Sequence, residues 1–188
     1  MRTFFTAIHE YIHYLARGSV NNSGFAVSSK DVDVYTIINE GVTDLLSCYF
    51  VEYILRETNK CDLDFILSDS PFKLVTSDDY DIVINPFLKS LNELKVDDID
   101  IILLKASSII ASYKYNICIV LYILKYLPLQ EVFNMYFNSD NKGFDLLCEH
   151  HFGVEKWLSF KSTANKLGAN NLGFENCRQL LDILSNKG

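Results

Sequence analysis

The chain has 188 residues, 49% of them hydrophobic, and a formal net charge of −7. That length and apolar content suffice for one domain, 1–188, with a core of its own. The acidic balance, with no clustered Lys or Arg, argues against a nucleic-acid partner, because phosphate binding needs concentrated positive charge.

The first element predicted is a helix from Thr3 to Ala16, stopped by Gly18. It carries His9-Glu10-Tyr11-Ile12-His13, an H-E-x-x-H run set among Phe4, Phe5, Ile8, Ile12 and Leu15 at helical spacing. Residues i and i+4 of a helix lie one above the other, so both imidazoles face the same way and can grip one metal ion. Neutral imidazole nitrogen is a good zinc ligand, and a carboxylate at Glu10 lies where it can take a proton from a water that the ion polarises. The competing reading is two surface histidines on an amphipathic helix.

A Ser-, Asn- and Gly-rich loop over 18–30 follows, then a long helix from Asp31 to about Glu57. Ile37, Ile38, Val42, Leu45, Leu46, Tyr49, Phe50 and Tyr53 give it an apolar stripe. Within it, Asn39-Glu40-Gly41-Val42-Thr43-Asp44 places Glu40 and Asp44 on one face. Glu40 is suited to be the third protein ligand that a catalytic zinc requires. Asp44 is suited to accept the free N–H of a ligating histidine. Gly41 weakens the helix by roughly 1 kcal/mol against Ala, which implies close packing there, expected against the first helix.

H-E-x-x-H followed by N-E-x-x-[ST]-[DE] resembles the gluzincin metallopeptidases, whose thermolysin-like members include an N-E-G-[LV]-T-[DE] form. The resemblance covers roughly residues 3–55 with specific motifs and continues, more vaguely, to about residue 150. It implies zinc held by His9, His13 and Glu40, a general base at Glu10, and a histidine-orienting carboxylate at Asp44. It also implies a peptide or protein substrate, and a donor that steadies the tetrahedral intermediate. Tyr113 is the first candidate for that donor, with Tyr35 and Tyr115 behind it. The sequence departs from the family at its start. Eight residues precede His9, too few for the twisted β-sheet that comes before the motif helix in gluzincins. The expectation is therefore a helical subdomain without that lobe, or a fragment of a longer chain.

Farther along, 59–81 is polar and turn-rich. Helices are predicted over 87–94, opened by Pro86, and over 99–113, with acids at its start. More follow over 115–127 and 129–137, the first ended by Pro128. A turn at Asp140-Asn141-Lys142-Gly143 leads to three terminal helices over 144–151, 154–167 and 175–186. Many helices and few alternating runs define a mainly α fold, with the H-E-x-x-H helix packed on the N-E-G-V-T-D helix. The longest uncharged apolar run, Tyr115 to Leu124, is too short to cross a bilayer. No apolar leader and cleavage site follow Met1-Arg2, so a cytoplasmic location is expected of the chain as given.

Other residues are read more plainly. Cys48, Cys61, Cys118, Cys148 and Cys177 are odd in number and contain no C-x-x-C pair, so buried free thiols are expected. His150 and His151 are adjacent and point about 100° apart on a helix, which suits a helix end better than a metal site. The acids around Asp78 and Asp97 lack calcium-loop spacing and fit solvated helix starts. Two functions emerge from the sequence. One is a zinc metallopeptidase with Glu10 as general base. The alternative is an inactive zincin remnant in which zinc is structural and the chain binds a protein partner.

Overall fold

The computed structural model describes residues 2–19, 22–25, 31–57, 99, 103, 113–169 and 172–185. The fold is mainly α. Among the described residues the elements in order are α1 (Arg2–Leu15), β1 (Arg17–Ser19), β2 (Asn22–Ser23), α2 (Val32–Glu57), α3 (Lys114–Leu124), α4 (Leu129–Phe137), α5 (Asn141–Phe152), α6 (Val154–Leu167) and α7 (Phe174–Ser185). The turn-rich stretch 59–81, the helix expected over 87–94 and nearly all of 99–113 lie outside the described residues, as do both acid clusters. No helix among the described residues is long and apolar enough to cross a membrane.

α2 is the central element, packed against α1, α3 and α6. Its burial explains why. Between Val34 and Ser47 every residue is buried except Thr36, Glu40 and Leu46. A helix covered on so many sides must lie inside a bundle rather than on its surface. The one-sided stripe expected of it was therefore too narrow. Its buried hydroxyls are satisfied within the helix, Thr43 donating to the Asn39 carbonyl at 2.7 Å and Ser47 to the Thr43 carbonyl at 2.7 Å.

The outer helices show the 3.6-residue spacing of half-buried surfaces. α6 buries Trp157, Phe160 and Ala164, and α7 buries Cys177, Leu180, Leu181 and Leu184. α6 packs on α5, α7 and α2, and α7 also meets α3. Polar contacts then fasten α6 to the start of α2. Asn165 accepts the Val34 N–H at 3.3 Å and donates to Asp31 at 3.0 Å, and Asp33 accepts the Ala169 N–H at 2.9 Å. Asp145 of α5 accepts from Trp157 Nε1 at 2.8 Å and from Lys161 at 2.9 Å.

Three local expectations are corrected. The loop after α1 contains a short antiparallel ribbon, Arg17 opposite Ser23 and Ser19 opposite Asn22. The turn expected at Asp140–Gly143 is a helix start: Asp140 is the N-cap of α5 and accepts the Gly143 N–H at 2.9 Å, relieving one of the donors a helix leaves unpaired. Gly41 does not serve the α1 interface. A Cβ there would lie 2.5 Å from the Asn116 carbonyl oxygen and 2.6 Å from Val120 Cγ2, so the residue lets α3 approach α2. Asn116, buried beside it, donates to the Ile37 carbonyl at 3.2 Å. Of the cysteines, Cys118, Cys148 and Cys177 are free and buried. The side chain of Cys48, and Cys61, lie outside the described residues.

Candidate metal centre

α1 and α2 meet face to face where the two motifs lie. His9 is buried at 6% exposure, and His13 and Glu40 are partly covered. One ligand atom from each of the three lies within 4.8 Å of the others. His9 Nε2 is 3.0 Å from His13 Nε2 and 3.1 Å from Glu40 Oε2, and His13 Nε2 is 3.5 Å from Glu40 Oε1. Zinc bonds of about 2.0–2.1 Å at tetrahedral angles separate neighbouring ligand atoms by about 3.3 Å. The two separations from His9 lie near that edge, while His13 faces the other Glu40 oxygen, so the three residues form a group that could hold a metal ion.

Both histidines have a partner on the far side of the ring. His9 Nδ1 donates to Asp44 Oδ1 at 2.6 Å, and Asp44 Oδ2 accepts the backbone N–H of Tyr113 at 3.1 Å. Asp44 thus stands behind the His9 ring, and it also ties the start of α3 to the site. His13 Nδ1 faces Thr43 Oγ1 at 3.4 Å, and Thr43 is 2.7 Å from the Tyr136 hydroxyl on α4. Motif spacing gave no role to Thr43, although it stands inside N-E-G-V-T-D. Tyr136 carried no signal at all, being 93 positions from Thr43.

The electrostatics are those of a cation site. Burial alone would lower the pKa of His9, but hydrogen bonds to Asp44 and Glu40 outweigh it and raise it from 6.5 to about 9. Burial alone would raise Glu40, but its hydrogen bonds with His13 and His9 hold it at about 2. Two convergent imidazole nitrogens and a carboxylate thus compete for one positive charge, which a proton or a metal ion can supply.

Glu10 is exposed on α1, next in sequence to the most deeply buried ligand. Tyr113 stacks on the His9 ring at 5.6 Å between centroids and 18° between planes. Its phenol pKa is raised by burial and by the charges of Glu40, Asp44 and Glu10, which puts Glu10 within electrostatic reach of the same mouth. Tyr113 is 38% exposed, so its ring borders solvent as well as the ligands. The other tyrosines serve elsewhere. Tyr35 is 2% exposed and packs in the core near Phe25, with its hydroxyl bonded to Asp145. Tyr115 meets Phe174 edge-on, and its carbonyl accepts the Cys177 thiol. His150 and His151 stand exposed in the last turn of α5, as expected of a helix end. Comparison with known proteins adds nothing here: no family model, curated protein or solved structure matches the chain.

Proposed function

We propose that this chain is a zinc-dependent metallopeptidase of the gluzincin type. The observation that carries the reading is the convergence of His9, His13 and Glu40 within 4.8 Å, with the exposed carboxylate of Glu10 next to His9. Two imidazoles and one carboxylate are the protein ligands of a catalytic zinc, which leaves its fourth position for water or substrate. The gluzincin resemblance of the two motifs supports the same assignment.

Bound at these residues, zinc supplies a Lewis acid that lowers the pKa of a water and polarises a carbonyl. His9, His13 and Glu40 hold it, and Asp44 keeps the His9 imidazole turned with Nε2 toward it. Glu10 accepts a proton from the attacking water as its oxygen bonds to the carbonyl carbon. Glu10 then delivers that proton to the amide nitrogen as the C–N bond breaks, and an amine and a carboxylic acid result. Tyr113, raised above its ordinary pKa, keeps its hydroxyl proton and can donate it to the oxygen on which negative charge develops.

The test is a mixed peptide library incubated with zinc-loaded chain and read by mass spectrometry. Cleavage by the wild type that disappears in Glu10→Gln, with zinc content unchanged, supports the peptidase. Zinc-loaded wild type that cuts no peptide defeats it and leaves a structural zinc and a binding role.

A further inference from the structure

We infer that Thr43 is the positioning residue for His13, and that Tyr136 of α4 holds Thr43 in that role. This rests on the metal-binding part of the reading above and not on peptide hydrolysis. A histidine that ligates through Nε2 must carry its proton on Nδ1 and needs an acceptor there. His9 has a carboxylate for this purpose. His13 has a hydroxyl: Thr43 Oγ1 lies 3.4 Å from His13 Nδ1, at the long end of a hydrogen bond.

A hydroxyl has one hydrogen and two acceptor lone pairs. The hydrogen of Thr43 is committed to the Asn39 carbonyl at 2.7 Å. Tyr136 lies 2.7 Å from the same oxygen and occupies one lone pair as donor. Only an acceptor position remains, and it faces His13. Without a metal His13 Nε2 carries the proton that it shares with Glu40; once an ion displaces that proton, the network holds the remaining one on Nδ1 and leaves Nε2 free to ligate. The opposite arrangement, Thr43 donating to Nδ1, would put a proton on Nε2 where an ion must bind.

Burial makes the device hold. Thr43 and Tyr136 are both fully buried, so the Tyr136 hydroxyl lies in the core against Thr43. Tyr136 is itself confined. Its ring meets Phe25 edge-on at 5.8 Å, and any side chain at Gly24, where φ is +70°, would collide with it and with Asn39. Phe25 after the ribbon and Tyr136 of α4 together thus hold Thr43 against the His13 ring on α1.

The experiment is a zinc titration against a chromogenic chelator, with the melting temperature of metal-stripped protein and the nitrogen NMR signals of the His13 ring. Thr43→Val should weaken zinc about tenfold or more, the usual effect of removing a hydrogen-bond partner from a ligating histidine, and Thr43→Ser should stay within about threefold of wild type. Tyr136→Phe should weaken zinc about threefold. Thr43→Val also leaves the Tyr136 phenol buried without a partner, so its melting temperature should fall. The double variant Thr43→Val/Tyr136→Phe removes that phenol. Its melting temperature should recover while zinc stays weakly bound, and the His13 Nδ1 proton should exchange faster with water than in wild type. Recovery of zinc affinity together with melting temperature would show that Thr43 only packs, and would overturn the inference. So would a Thr43→Val variant with wild-type affinity. If Thr43→Val does not fold, unchanged affinity and an unchanged His13 signal in Tyr136→Phe overturn it equally. Wild-type chain that takes up no zinc would instead defeat the metal site itself, and the inference with it.

Discussion

Asp44 couples two sides of the site, since its Oδ1 lies 2.6 Å from His9 Nδ1 while Oδ2 accepts the Tyr113 backbone N–H at 3.1 Å. Both donors point at a carboxylate that is 1% exposed. Asp44→Ala should weaken zinc binding by about 10- to 100-fold without removing a ligand. Asp44→Asn keeps the shape, but one end of an amide is itself a donor, and one of the two N–H groups would face it. It should therefore lose zinc affinity as well, together with about 1–3 kcal/mol of stability from the mismatched donor. A chelator competition and a urea titration measure the two effects. Wild-type affinity in both variants would leave Asp44 with a purely structural part.

Acidity separates the metal-stripped protein from the loaded one. His9 is raised from 6.5 to about 9 by partners that outweigh burial, so its stabilising contribution is complete below pH 6.5 and fades as pH rises through 9. Glu40 is lowered from 4.5 to about 2, so its contribution is complete above pH 4.5 and fades as pH falls through 2. Metal-stripped protein should accordingly be most stable between pH 4.5 and 6.5, with stability declining on either side. Zinc competes with the His9 proton, so loading near neutral pH should release about one proton, and the gain in melting temperature from zinc should grow toward pH 9. Thermal melts across pH, and calorimetry in buffers of different ionisation enthalpy, check both statements. A zinc-dependent gain that shrinks from pH 6.5 to 9 would show that no ligand proton is displaced.

Gly41 makes opposite demands on helix propensity and packing. Replacing it with Ala favours the helix by about 1 kcal/mol. The added Cβ, however, would meet the Asn116 carbonyl oxygen at 2.5 Å. Overpacking of this kind costs about 1–3 kcal/mol, and a backbone oxygen cannot rotate away. The packing cost should win, so Gly41→Ala should lower the urea midpoint. Because α3 begins beside Tyr113, a displaced α3 should also disturb the Asp44 contact and weaken zinc. An unchanged or higher midpoint would show that α3 yields easily.

The group of His9, His13 and Glu40 was legible in the sequence because its parts are local. His9 and His13 are one turn apart, as are Glu40 and Asp44, and helical geometry alone places each pair on a common face. Among the described residues the helix order was legible for the same reason, down to the bounds of Leu129–Phe137 and Val154–Leu167. What escaped depends on distant pairing. Nothing near Tyr136 marks it as a partner of Thr43, and nothing near Gly41 says that Asn116, 75 positions on, is what comes close. The extent of burial around α2 escaped too. Asn39, Thr43, Asp44 and Ser47 are polar in sequence and buried in the fold, so the apolar pattern understates how central the helix is.

Glu10 and Tyr113 flank the ligands in different ways, and their substitutions should differ in size. Glu10→Gln is nearly isosteric but cannot accept the proton of water. It should lower kcat by about 10²- to 10⁴-fold, the usual range for a positioned general base. Zinc content and melting temperature should not change, since Glu10 is exposed and outside the ligand set. Tyr113→Phe removes one donor while the metal still polarises the carbonyl, so the loss should be smaller, about tenfold. Its ring stacking on His9 would be kept, which separates loss of the hydroxyl from loss of packing. Tyr113→Ala removes both and should weaken zinc as well. Steady-state kinetics on a peptide found in the library, with metal analysis of each variant, give the comparison. A Tyr113→Phe defect as large as that of Glu10→Gln would mean that the phenol supplies more of the catalysis than one hydrogen bond. Full cleavage by Glu10→Gln would remove Glu10 from the chemistry altogether.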